Sequence, residues 1–489
     1  MEYYIIVTLL LTIVYITFIY KTFSKSKVIN PPGPRPWPII GNMLLLDDKP
    51  HRVVAKLSRI YGPIMSLKLG SLTTIVISSP EIAKEMFVKH DLDFSSRIVQ
   101  DAVRALNHEK VSLVWLPVSP KWREIRKILA LQLFTTHRLN ESQDIRHKKV
   151  KELVDYVQQC CEAGQAVDIG KAGFTTVLNL LSNTFFSMDF ASHSSSGLQE
   201  FKELVRHFME EIGRPNVSDF FPLIRWLDLQ GVLKRSRRNY TKSLDIFQKI
   251  IDERLRDPNA PKDDVLATLL KLIKDNNLSL DEVKHLLVDL FAAGTDTTSS
   301  TLEWAMTELL RNPEKMAKAQ IEIDQIIGKN GTIQESEILK LPYIQAIVKE
   351  TFRLHPPAPF LVPHKANNNV EICGCFVPKN AQIWVNVWSI GRDPSVWPNP
   401  LVFSPERFLE RETDVKGGDF ELIPFGAGRR ICPGMPLANR MVHLMLAILL
   451  QSFNWKFHGE VSSIDIDMEE KFGLTLQKAK PLEAIPSPR

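Results

Sequence analysis

The sequence predicts a mainly α-helical protein with small β-sheets. Apolar residues recur at spacings of three or four along most of the chain, whereas β-rich runs are confined to two short regions. The periodic segments lie around Pro80–Lys89, Lys121–Leu133, Glu141–Glu162, Leu198–Gly213, Thr241–Arg256, Leu280–Leu310, Pro313–Ile327 and Leu341–Leu354. Asn312-Pro313 divides two of them, because proline breaks the helical ladder and pushes the preceding residue out of the helical region. Ile64 to Leu69 and Thr73 to Ser78 flank Gly70-Ser71 and read as a hairpin, and strands return at Val370–Val377 and Gln382–Val387.

A chain of 489 residues, 44% hydrophobic and 24% charged, can bury a large core. Nothing in its body reads as a Gly/Ser linker or an internal repeat, so residues 39–489 are expected to form one domain. A net charge of +5 is too small to argue for nucleic acid, and Lys234-Arg235-Ser236-Arg237-Arg238 reads as a solvated face. Five cysteines in a chain this long do not make a disulfide framework and fit a reducing compartment. Cys373-Gly374-Cys375 lacks zinc-ligand spacing and reads as strand.

Tyr3 to Tyr20 carries no charge and is rich in Ile, Leu, Val and Tyr, which predicts a single transmembrane helix within an anchor over residues 1–24. Lys21, Lys25 and Lys27 follow it, so positive charge on the carboxyl side leaves the body in the cytosol. The sequon Asn216-Val217-Ser218 is then expected to stay unglycosylated. Residues 25–38 form a basic, proline-rich stalk in which Pro31-Pro32-Gly33-Pro34-Arg35-Pro36-Trp37-Pro38 excludes helix. Asp219-Phe220-Phe221-Pro222-Leu223-Ile224-Arg225-Trp226 is unusually aromatic for a connection between helices. It either folds back as core or dips into the bilayer.

Chemistry concentrates at Pro424-Phe425-Gly426-Ala427-Gly428-Arg429-Arg430-Ile431-Cys432-Pro433-Gly434. Glycines remove side chains where a flat cofactor could lie against backbone and free N–H groups to point at a sulfur. Cys432 alone would read as a small buried hydrophobe; the spacing around it changes that balance. Ala293-Gly294-Thr295-Asp296-Thr297-Thr298 places glycine, hydroxyls and a carboxylate inside an apolar helix, against helix propensity. It is either a hydroxyl-stabilised kink or a site that holds water and relays protons. Glu350 and Arg353, three apart, share a helix face, and by itself that pair is an ordinary ion pair. Trp122 and Arg126 offer an aromatic donor and a cation on one face.

Phe425-x-x-Gly428-x-Arg430-x-Cys432-x-Gly434 resembles the haem-ligand signature of the cytochrome P-450 superfamily, and Ala293–Thr298 resembles its oxygen-activating helix. The resemblance covers about Pro31 to Pro488. It implies the cytochrome P-450 fold, haem b with Cys432 as axial iron ligand, and Phe425 and Gly426 against the cofactor. Thr297 would be the alcohol and Asp296 the acid of a proton-delivery pair. Trp122, Arg126 and Arg430 would hold haem propionates. The family's Pro-Arg pattern reads Pro363-His364 here, so a third propionate contact would depend on protonation of His364. Its Gly-Tyr strand motif reads Gly374-Cys375. Glu350, Arg353 and Arg407 match a structural Glu-Arg-Arg triad.

Trp115, Ala292, Ala293, Phe360, Leu361 and Leu474 fall in segments that the superfamily uses around its substrate. The implied activity is NADPH- and O₂-dependent monooxygenation of a small hydrophobic substrate. Electrons would come through a separate FAD/FMN reductase, NADPH-cytochrome P-450 reductase, at the endoplasmic reticulum membrane, with lipid as a further partner and no nucleic acid. Val114-Trp115-Leu116-Pro117-Val118, Leu178-Asn179-Leu180-Leu181-Ser182 and Asp467-Met468-Glu469-Glu470-Lys471-Phe472-Gly473 resemble the geraniol 8-hydroxylase group of plant terpenoid hydroxylases. A geraniol-like monoterpene alcohol is therefore the expected substrate, with diterpenoid, prenylated phenolic or tyrosine-derived compounds as alternatives. An isomerase or dehydratase on the same scaffold, or a haem sensor or electron carrier, are the rival readings.

Overall fold

The computed structural model describes residues 29–190, 196–257, 261, 264–329, 331–459 and 466–489. The expected anchor lies outside the described residues, as does the stalk before Ile29. Among the described residues no helix is long and apolar enough to cross a membrane.

The elements that build the site are, in order, α1 (Pro50–Tyr61), β1 (Ile64–Leu69), β2 (Leu72–Ile77), β3 (Ser96–Arg97), α2 (Pro120–Leu129), α3 (Gln143–Glu162), α4 (Ile169–Phe186), α5 (Ser196–Gly213) and α6 (Val232–Arg256). They continue with α7 (Leu280–Arg311), α8 (Pro313–Ile326), α9 (Pro342–Leu354), β4 (His364–Lys365), β5 (Gln382–Val385), α10 (Met435–Ser452), β6 (Glu470–Phe472) and β7 (Leu476–Lys478).

Helix α7 is the axis of the fold. Its 32 residues span about 48 Å at the α-helical rise. Ser279 and Glu282 close a capping box at its start, and Asn312-Pro313 ends it where the sequence predicts. Helices α4, α9 and α10 pack along it. α4 is N-capped by Asp168, which accepts from the Lys171 N–H at 2.7 Å, and it stops at Ser187 in the left-handed region. It is buried on nearly every side. A helix without a polar face shows no amphipathic period, which is why periodicity missed it. α10 is also largely apolar and went unread, as did α1 and the helix Val265–Lys274.

The hairpin stands within one residue of expectation and seeds a five-stranded sheet ordered β1-β2-β5-β4-β3. β5 joins β2 in parallel, β4 pairs antiparallel with β5, and β3 pairs antiparallel with β4. In that last register Arg97 stands opposite His364. Val370–Ile372 and Cys375–Val377 form a separate small hairpin, and Cys373 and Gly374, read as strand, make its turn instead, with φ of +48° and +74°. α6 begins at Val232, so the basic cluster lies on its first turns, where Arg235 forks onto Glu211 at 2.8 and 2.9 Å.

Part of the aromatic connection folds back onto the core and part stands exposed. Phe220 packs partly against the β1/β2 end of the core and accepts from the Ser71 N–H at 2.9 Å. Leu223 and Trp226 stand 92% and 81% exposed.

Candidate functional site

The loop before α10 brings Cys432 to the mouth of that helix. Gly426 and Gly428 both have positive φ, +72° and +66°, which only glycine adopts without strain. A side chain at Gly428 would also collide with the Asp91 carboxylate. The Phe425 carbonyl accepts from the Cys432 N–H at 2.9 Å, and the N–H groups of Gly434 and Met435 donate to its sulfur. Burial pushes the Cys432 thiol up, while those two donors and nearby Arg126 pull it back. Donors at the start of an 18-residue helix offset part of that burial, and would stabilise a thiolate once a cation faced the sulfur.

Cys432 lines a cavity of about 310 Å³ that lies between its loop and α7. Phe425, Gly426, Ala293, Gly294 and Thr297 share this wall. The Thr297 hydroxyl donates to the Ala293 carbonyl at 2.8 Å. Gly294 has a second reason to lack a side chain, since a Cβ there would lie 3.0 Å from a Leu181 methyl of α4.

Four basic side chains, Arg97, Arg126, His364 and Arg430, reach the same cavity. Among the described residues none of the three arginines is paired with a carboxylate. Arg126 donates to the Ile431 carbonyl at 2.5 Å; Arg430 donates to Ser95 at 2.8 Å and to Leu113 at 3.3 Å; Arg97 donates to Val362. Arg97 Nε is buried without a partner. Burial, reinforced by Arg126, holds the Arg430 guanidinium down at about 10, and burial with Arg430 also pushes Arg97 well below its ordinary value. Uncompensated cations crowded into an apolar cavity call for an anionic ligand. A planar cofactor carrying two carboxylates, with a soft metal facing the Cys432 sulfur, satisfies both halves of the site.

The structure alters three of the expected contacts. Trp122 also lines the cavity, but its indole N–H is committed to the Leu113 carbonyl at 3.0 Å. Its ring carries the Arg126 and Arg430 guanidiniums at 5.4 and 4.6 Å from the centroid, so it aims cations rather than donating to an anion. His364 donates to the Phe94 carbonyl at 2.6 Å, and burial followed by Arg97 drives its pKa well below the usual histidine value. A neutral ring cannot act as the third cation. Arg97, directly across the strand pair, can; sequence reasoning missed it because only the fold joins β3 to β4.

Asp296 is the third departure. Adjacent residues on a helix face about 100° apart, and the cavity takes Thr297 but not Asp296. The Asp296 carboxylate instead accepts from the Thr475 hydroxyl at 2.5 Å and from the Gln477 amide in the β6/β7 hairpin. Burial raises its pKa to about 6 against those two donors. Thr475 does line the cavity, so the acid reaches it through a hydroxyl that the sequence reading did not single out.

Of the expected pocket residues, Ala293, Leu361 and Leu474 line the cavity and the others do not. Trp115 is buried in a cluster with Ala102, Val103, Ile212 and Val232. Ala292 turns into the main core, and Phe360 stacks on Trp384 at 4.6 Å. Further wall comes from the unread helix α4, through Leu180, Leu181 and Thr184 among others, and from residues such as Leu113, Met209 and Leu290.

Beneath the cavity, Arg353 forks onto Glu350 at 2.6 and 2.7 Å, both fully buried, and Arg407 adds a bond to Glu350 at 3.1 Å. Arg353 also donates to the Gly391, Pro400 and Val402 carbonyls. The triad thus ties α9 to the irregular segment that leads into the cysteine loop.

Residues 31–483 match the family model for cytochrome P450. The chain is 57% identical to cytochrome P450 76AD1 of Beta vulgaris, over 96% of each chain. It is 52% identical to geraniol 8-hydroxylase of Catharanthus roseus, over 98% of this chain and 99% of that one. A zebrafish cytochrome P450 solved with progesterone superposes with a TM-score of 0.75 at 26% identity, over 90% of this chain and 99% of its own. With the thiolate loop, the unpaired cations and the hydroxyl-bearing helix around one cavity, these matches establish that the chain belongs to the cytochrome P450 family and is one of its monooxygenases.

Proposed function

We propose that this monooxygenase hydroxylates a neutral terpenoid of isoprenoid size, a geraniol-like monoterpene alcohol being the specific candidate. The observation that carries the reading is the cavity wall away from Cys432. There Val114, Leu180, Leu181, Leu290, Leu361 and Leu474 present apolar surface; among the described residues the polar side chains lining it near α7 are threonines, and the charged lining residues belong to the cationic cluster. A substrate carboxylate or ammonium would be desolvated there without a partner, whereas each buried methylene contributes roughly 0.8 kcal/mol. Similarity to geraniol 8-hydroxylases from Catharanthus roseus and Swertia mussotii supports the same class.

Cys432 would ligate haem iron, and Arg97, Arg126 and Arg430 would hold its propionates. When bound, haem supplies reductive activation of O₂ and insertion of one oxygen atom, with electrons from NADPH through a separate flavoprotein reductase. The chain's own residues orient substrate and manage protons. The apolar wall excludes water, Thr297 holds a proton donor at the α7 face, and Asp296 exchanges protons through Thr475. A carboxyl near pH 6 is suited to that exchange at neutral pH. In reductase-coupled microsomes supplied with geraniol, a diterpene hydrocarbon and tyrosine, the expected outcome is oxygenated geraniol. Thr297→Ala should lower product per NADPH several-fold and raise peroxide correspondingly. Tyrosine turnover without any terpenoid product would reject the substrate class, and unchanged coupling would reject the role of Thr297.

Arg97→Leu should hasten haem transfer to an acceptor apoprotein by about tenfold or more, the worth of a charge-assisted hydrogen bond. His364→Phe should change that rate far less, and the parental rate should stay flat between pH 6 and 8 because His364 is already neutral there. Equal effects of the two substitutions would return the third contact to His364.

We also propose a single-pass endoplasmic reticulum protein with its catalytic domain in the cytosol. Trp37, Ile39 and Leu44 are exposed beside the Gly70-Ser71 turn, whose Gly70 N–H donates to Ile40 and whose Ser71 N–H donates to Phe220, next to exposed Leu223 and Trp226. Phe220 is partly packed, so the lipid contact falls to Leu223 and Trp226. Protein lacking residues 1–24 should remain partly membrane-bound in flotation assays, and Leu223→Ser with Trp226→Ser should release it. Complete solubility after the deletion alone would remove this second contact.

A further inference from the structure

A second cavity of about 130 Å³ adjoins the first, between β1/β2, the end of α5 and the β6/β7 hairpin. Leu361 and Leu474 line both cavities and form the partition between them. Leu361 holds its place in a left-handed conformation, φ +55°, unusual for a γ-branched residue. The outer chamber is apolar on one side, where Leu69, Phe360, Trp384 and Phe472 meet, and polar elsewhere, where Gln100, Arg214, Asn216, Asp219 and Gln382 stand.

Asn216 is only 1% exposed, yet its Oδ1 has no hydrogen-bond partner among the described residues. Its amide orientation is not arbitrary. Nδ2 lies between the carboxylates of Asp101 and Asp219, at 3.4 and 3.3 Å, so a flip would set a carbonyl oxygen against two anions. Those carboxylates are themselves fixed: Asp219 accepts from the Asp101 N–H at 2.7 Å, and Arg225 lies 2.6 Å from Asp101. The result is a rigid acceptor, buried at the edge of an apolar chamber. A buried acceptor without a donor is costly, and a ligand hydroxyl would satisfy it.

We propose that the outer chamber is a staging subsite for a neutral apolar alcohol, whose hydroxyl donates to Asn216 Oδ1 while its hydrocarbon lies on Phe360 and Trp384 before it passes Leu361 and Leu474. This rests on the apolar-alcohol reading of the substrate and adds where and by which atom that hydroxyl is recognised. A carboxylate at that acceptor would meet the Asn216 oxygen and the Asp219 carboxylate, while Arg214 on the same wall is already paired with Glu211 at 3.6 Å; a hydrocarbon would leave the acceptor unpaired.

The test uses the full, haem-loaded chain and two photo-crosslinking probes: a ten-carbon primary alcohol carrying a diazirine, and its methyl ether. Labelled peptides are mapped by mass spectrometry. The alcohol should label the peptides carrying Phe220 and Phe472 about fivefold more than the ether, the worth of one neutral hydrogen bond. Asn216→Val should bring that ratio to about one, and Asn216→Ser, which keeps a smaller acceptor, should retain part of it. A general loosening of the Asp101–Asp219 cluster would shift both probes together and leave the ratio intact. Equal labelling by the two probes in the parent, or labelling confined to central-cavity residues such as Leu180 and Thr184, overturns the proposal. Labelling does not require turnover, so failure of geraniol oxidation with the alcohol preference intact would count against the terpenoid reading alone.

Discussion

Cys432→Ser is expected to abolish the strongly red-shifted ferrous–CO band and to reduce oxygenation to the background of reductase alone. The polar groups around this sulfur oppose the burial that would keep it a thiol. Gly434 and Met435 donate to it, Arg126 lies nearby, and an 18-residue helix begins beside it. Serine keeps the size and can keep those hydrogen bonds, but an alcohol at neutral pH is neither a thiolate nor a strong electron donor to iron. The outcome therefore separates ligation from packing. A folded, haem-containing Cys432→Ser protein that shows the parental band would falsify the ligand assignment. Cys160 and Cys161, on α3, serve as controls, since serine at either position removes a thiol of the chain without touching the band.

What could be seen from the sequence was whatever sits contiguously. The cysteine loop compresses ligand, glycines and arginine into eleven residues, and the α7 motif announces itself by placing hydroxyls and a carboxylate where helix propensity and burial oppose them. The Glu350–Arg353 pair was visible as spacing, but that it is buried and bidentate follows only from what α9 packs against. Arg97 was not visible, because its value comes from a strand pairing with His364 across most of the chain. Helix rotation explains the errors that lay closer at hand. Ala292 and Asp296, four apart, share a face of α7 turned into the core and the β6/β7 hairpin, one step of about 100° from Ala293 and Thr297, which share the face on the cavity. Helix α4, which supplies much of the wall, was hidden by its own uniform apolarity.

Arg353→Leu is expected to destabilise the protein by about 3–5 kcal/mol, because it strands the Glu350 carboxylate in a fully buried position. At ~2.1 cal/mol/K of unfolding entropy per residue, a chain of 489 residues would lose roughly 3–5 °C of unfolding midpoint. The effect on haem-bound protein should be larger than that shift suggests. Arg353 also holds the Gly391, Pro400 and Val402 carbonyls, so its loss frees the segment that delivers Arg407 and, beyond it, the cysteine loop. Arg353→Lys keeps the charge, but a point cation cannot serve two carboxylate oxygens and three carbonyls at once, so it should recover only part of the loss. Arg407→Ala should cost less than either, since Glu350 would still accept from both arms of Arg353 and from the Ser404 N–H at 2.7 Å. Differential scanning calorimetry and the ferrous–CO spectrum, read on the same preparations, give the ranking. An Arg353→Leu protein within 1 °C of the parent and fully loaded with haem would show that the triad does not hold the loop, and that the segment between α9 and Cys432 is positioned by apolar packing alone.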